Sequence, residues 1–98
     1  MDLIEIFYLN IYPEMKVFFD FKESYYREGQ FGDLKRFEFS SKSLRYVGMF
    51  DFWSGNWIEI YLFDMLLEQD LYHRLFSPDE LNENLFLDFD RIIHETYF

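Results

Sequence analysis

The sequence predicts a small α+β domain, a single unit over residues 1–98, in which an antiparallel hairpin or sheet around residues 36–62 is packed by C-terminal helices. Three observations carry that reading. Residues 44–53 and 57–62, "LRYVGMFDFW" and "WIEIYL", alternate like strands and flank Ser54-Gly55-Asn56, a composition suited to reversing the chain. "SPDE" at 77–80 is a helix start signal that precedes leucine and phenylalanine at helical spacing. No linker, repeat or low-complexity tract divides the 98 residues, so they predict one core.

In chain order, "LIEIFYLNIY" reads as a buried strand, and "MKVFFDFK" alternates well enough to be its neighbour. Against this, Pro13, Glu14, the Lys16/Asp20 and Glu23/Arg27 spacings and Gly29 outline a helix over 13–28. The helix is the preferred reading, so the N-terminal segment is expected to be partly helical, with strand against helix left open over 3–28. "GQFGDLK" is a loop, and Arg36 to Phe39 a strand that pairs with the hairpin.

Register decides the faces of the hairpin. With a three-residue loop and Asn56 left-handed, Phe52 faces Ile58, Asp51 faces Glu59 and Phe50 faces Ile60. One face then carries Phe50, Phe52, Ile58, Ile60 and Leu62; the other carries Met49, Asp51, Trp53, Trp57, Glu59 and Tyr61. A two-residue loop would place Glu59 beside Phe50 and Phe52 and is disfavoured.

Beyond the hairpin, Asp64 is positioned to cap a helix over about 64–76, with Leu67, Leu71 and Leu75 on one stripe. Ser77, Pro78 and Glu80 form the N-cap, first turn and capping box of a second helix over 78–96, whose stripe is Leu81, Leu85, Phe89 and Ile92. Asp88 falls inside that stripe, so either it is paired there or "FLDFD" departs from regular helix.

Composition narrows the function classes. The chain is half hydrophobic and 24% aromatic, which predicts a folded state despite a net charge of −10. It has no cysteine, which removes disulfides, thiolate metal sites and cysteine nucleophiles. No leader-like segment and no apolar run of membrane-spanning length is present, so a soluble, cytoplasmic protein without membrane contact is expected. Residues 1–50 hold eight acids and seven bases, whereas residues 51–98 hold eleven acids and two bases. Such a field repels phosphate backbones and steers basic proteins inward, so a basic protein partner is expected and direct nucleic-acid binding is not.

Catalytic signatures are weak. His73 and His94 lack metal-ligand spacing to each other, no GxSxG elbow accompanies the serines, and "GQFG" lacks the lysine of a phosphate loop. Asp51 does not begin a calcium loop, and Asp51 with Glu59 as acid and base is the kind of pair that 19 acids produce by chance. No catalytic residue, metal ligand or cofactor is therefore assigned, and the chain is read as a binding protein rather than an enzyme.

What the hairpin does offer is rings beside carboxylates, a receptor for Lys and Arg. The partner-binding residues expected are Asp51, Trp53, Trp57, Glu59 and Tyr61, with Asp79 and Glu83 as peripheral acids that steer the approach. The alternative is that Trp53 and Trp57 are covered by the N-terminal segment.

The acidic second half and the patch "DFWSGNWIE" at 51–59 resemble, at the level of class, the immunity proteins that neutralise bacterial polymorphic toxins, including those of contact-dependent growth inhibition. The resemblance implies a bacterial antitoxin-like protein that binds a basic cognate toxin domain, such as a nuclease, at its active site or an exosite. Two other readings compete: a nucleic-acid mimic of the anti-restriction or anti-CRISPR kind, and a small acidic subunit of a protein complex.

Overall fold

A computed structural model describes residues 2–97, the Tyr97 side chain excepted. An N-terminal helical arm is followed by a five-stranded sheet and a C-terminal helix, so the domain is α+β. The strands are β1 (Phe19–Gly29), β2 (Gly32–Ser41), β3 (Tyr46–Trp53), β4 (Ile58–Asp64) and β5 (Gln69–Phe76). Each pairs antiparallel with the next, giving a meander in sequence order.

The arm runs through an α-helix, Leu3–Ile6 (α1), a π-helical stretch, Phe7–Ile11, and a second α-helical piece, Tyr12–Met15 (α2). Pro13 explains the wide turn. It has no N–H to give and its ring crowds the carbonyl four residues back, so the hydrogen bonding slips and the Tyr12 N–H reaches the Phe7 carbonyl. The wider turn also keeps residues four apart in line: Leu3, Phe7, Ile11 and Met15 are all buried against the sheet. Phe7 stands at the centre, its ring 4.7 Å from that of Phe50 and 4.9 Å from that of Phe37.

The expected hairpin register is present. Phe52 pairs with Ile58, Asp51 with Glu59 and Phe50 with Ile60, and Asn56 is left-handed at φ 65°. The face carrying Phe50, Phe52, Ile58, Ile60 and Leu62 is buried under the arm and the C-terminal helix. Gly48 interrupts this face because a Cβ there would collide with the Tyr61 carbonyl; the Phe39 ring covers the gap instead.

Three expected helices are corrected. The helix over 13–28 is instead the end of the arm followed by β1, because Phe19 and Phe21 alternate toward the core and the strand bonds with β2. The helix over 64–76 is the β4–β5 turn and β5. Asp64 does cap, its Oδ1 accepting from the Leu66 and Leu67 amides, but the turn then reverses through a left-handed Glu68 at φ 53°. The three leucines share no face: Leu67 lies in the turn, Leu71 packs on the core at a bulge and Leu75 stands across from Glu59, whereas a helix here would leave the β4 edge unpaired. The helix over 78–96 reduces to a single 3-10 turn at Pro78–Glu80, a loop, and helix α3 at Leu87–Tyr97.

The capping box at Ser77 forms, with Glu80 accepting from the Ser77 amide and hydroxyl, both at 3.1 Å. Asn82 and Asn84 end what it starts: the Asn82 side chain bonds the Glu80 carbonyl and the Asn84 amide, turning the chain away from helix. That interruption rephases α3. Leu85, Phe86, Phe89 and Ile93 face the core, while Asp88 points outward to Arg91 at 3.2 Å.

Candidate functional site on the uncovered sheet face

Both helical segments lie on one side of the sheet, and among the described residues no element covers the other. Register sets three adjacent rows across that uncovered face. The first is Ser24, Arg36, Asp51, Glu59 and Leu75; the second is Lys22, Glu38, Met49, Tyr61 and His73; the third is Asp20, Ser40, Val47, Phe63 and Asp70.

Three of its acidic side chains have partners across strands. The Arg36 guanidinium grips Asp51 with two parallel bonds of 2.8 Å, from Nε to Oδ1 and from Nη2 to Oδ2. Asp51 is 0% exposed, and the ion pair raises the Arg36 guanidinium above its ordinary pKa. Glu59 lies 2.8 Å from Nε2 of His73. The Tyr61 hydroxyl donates to Asp70 at 2.5 Å, a bond that raises its pKa. Between these pairs runs an open groove of about 530 Å³ over Val47, Gly48, Met49 and Tyr61, bounded by Asp20, Lys22, Arg36 and Glu38. Tyr61 and Phe63 lie nearly parallel beside it, 6.2 Å apart.

The expected partner-binding residues divide into three groups. Glu59 and Tyr61 stand on this face, half-buried. Asp51 stands there too, but its charge is consumed: a partner's cation would have to displace Arg36. Trp53 and Trp57 are half-buried at the turn end, where Phe31 stacks on Trp57 at 4.2 Å and meets Trp53 edge-on at 5.4 Å. Phe31, in the β1–β2 turn, thus packs on both rings, while Ile4 of the arm lines clefts beside Trp53. The Gly55 amide donates to the Phe31 carbonyl at 2.9 Å and the Asp33 amide to Ser54 Oγ at 2.9 Å, so the two turns are clasped together. Gly32, at φ 102°, admits this approach, since a Cβ would strike Ser54 Oγ. Asp79 and Glu83 are exposed but lie off the face, Asp79 in the 3-10 turn and Glu83 beside a cleft between the arm and α3.

Arg36, His73, Asp70, Lys22 and Glu38 join these residues on the face without having been expected there. His73 and Asp70 were hidden by reading β5 as helix. Arg36 was detectable in principle, as the strand-facing partner of a carboxylate once β2 is registered against β3. No helix among the described residues is long and apolar enough to cross a membrane.

A comparison with protein-family models returns no match, and comparisons with the curated proteins and with the solved structures return none either.

Proposed function

We propose that this protein binds and neutralises a basic protein domain, as immunity proteins do for nuclease toxins, with the uncovered sheet face as its docking surface. The observation that supports the reading most is an apolar groove over Val47, Met49 and Tyr61, whose rim carries the carboxylates of Asp20 and Glu38 alongside Lys22 and Arg36, in a chain of net charge −10. Such a groove suits Lys and Arg side chains: the aliphatic stem lies on the floor and the cationic head meets a rim carboxylate. Acidic charge accelerates the encounter and the groove holds the complex. The Trp53/Trp57/Phe31 clasp borders the surface and keeps it in shape.

A nucleic-acid mimic fits less well, because Lys22 and Arg36 interrupt the carboxylates on this face. The test is co-expression with the product of the reading frame immediately upstream. A basic domain encoded there should be bound and its toxicity suppressed, with affinity falling as salt rises. Met49→Arg should weaken binding by at least about tenfold through faster dissociation, with an unchanged circular dichroism spectrum. Full protection by a folded Met49→Arg variant would move the docking surface elsewhere.

A further inference from the structure

On the opposite side of the sheet, the arm and α3 meet along a seam that gathers three ligand-type side chains. Glu14 comes from α2, and Asp90 and His94 come from α3. Nε2 of His94 lies 2.6 Å from a Glu14 carboxylate oxygen and 3.6 Å from an Asp90 oxygen. One ligand atom from each residue falls within 4.8 Å of the other two. Asp90 and His94 are four residues apart and so share one helix face, while Glu14 reaches them from the far end of the chain. All three are half-buried and open to water.

We propose that Glu14, Asp90 and His94 form a site for a divalent transition metal of the zinc class, which clips the N-terminal arm to the C-terminal helix. One imidazole nitrogen with two carboxylate oxygens is a donor set zinc accepts, whereas magnesium and calcium prefer oxygen alone. Ligand atoms about 2.1 Å from a tetrahedral centre lie roughly 3.4 Å from one another, and the two separations at His94, 2.6 and 3.6 Å, each fall within an ångström of that spacing. Two carboxylates beside one imidazole, in so acidic a chain, also favour a dication. Three protein ligands leave a fourth position for water. The Asp90/His94 spacing of four places two of the ligands on one helix face, but the third, Glu14, comes from the far end of the chain and is not visible in the spacing.

Zinc titrated into chelator-treated protein should bind at one ion per chain, by calorimetry, and raise Tm by about 4 °C or more at saturation. His94→Ala should abolish both effects, and Glu14→Gln should weaken binding at least about tenfold. His73→Ala, which removes the two-residue pair with Glu59 on the uncovered face, should change neither. Circular dichroism establishes that each variant is folded, and Asp90→Asn gives a second ligand deletion. No shift in Tm with zinc, binding that survives His94→Ala, binding lost with His73→Ala, or magnesium binding as tightly as zinc would each overturn the proposal. The site stands apart from the docking face, so its failure would leave that reading untouched.

Discussion

The two faces of the sheet are built from the same strands by alternate residues, yet they are held by different forces. On the covered face Phe37, Phe39, Phe50 and Phe52 interlock with Phe7, Phe86 and Phe89, so stability there comes from removing aromatic surface from water. On the uncovered face, residues one step along each strand form cross-strand ion pairs and a groove, whose strength depends on protonation and salt. One register thus places aromatic packing on one parity and paired charges beside an open groove on the other. Changes on the two faces should therefore separate.

The largest expected effect lies in the core. Phe50→Ala should cost about 3–5 kcal/mol in urea denaturation, whereas Met49→Ala, its neighbour on the other face, should cost about 1 kcal/mol or less. Similar losses from both would show that the uncovered face is covered in solution.

Next in size is an asymmetry inside the Arg36–Asp51 pair. Arg36→Ala leaves a fully buried carboxylate uncompensated and should cost about 3 kcal/mol or more. Asp51→Ala leaves a guanidinium whose side chain is already 29% exposed and free to turn into water, so about 1–2 kcal/mol is expected. Equal costs would mean that Asp51 gains water when Arg36 is removed.

The smallest effect is read in pH. The Arg45 guanidinium, 3.0 Å away, holds the Asp64 carboxyl below its ordinary pKa, helped by the Leu66 and Leu67 amides. A lowered folded-state pKa contributes stability that is present above the ordinary carboxylate pKa and is lost as pH falls from there through the lowered value. Asp64→Asn should flatten that part of the acid limb, and a limb of unchanged slope would assign it to other carboxylates.

Where the chain advertised its geometry, the sequence was readable. The β3–β4 hairpin has Asn56 at the left-handed position and alternating faces on both sides, and its register follows from these alone. The hairpins on either side reverse through Leu44 at φ 62° and Glu68 at φ 53°, residue types that give no warning of a left-handed turn. With those turns unseen, β5 read as a helix, and His73 and Asp70 disappeared from the candidate site. The N-terminal segment is partly helical as expected, but strand against helix stays open over 3–28 in the sequence and the preferred helix falls on β1, because Phe, Tyr and Ile at short range fit either period and Pro13 resembles a helix start.

The α+β class, the central register, the apolar face of the hairpin, the capping box at Ser77 and the acidic character of the second half are legible in the residues alone. These rest on interactions between residues near in sequence, or on sums that need no coordinates. The fold is needed to see that Arg36 neutralises Asp51, that Phe31 packs on Trp53 and Trp57, that among the described residues helices cover one face alone, and that Glu14 meets Asp90 and His94. Each of these joins residues from different elements, and which elements meet depends on how the whole chain buries its aromatic surface.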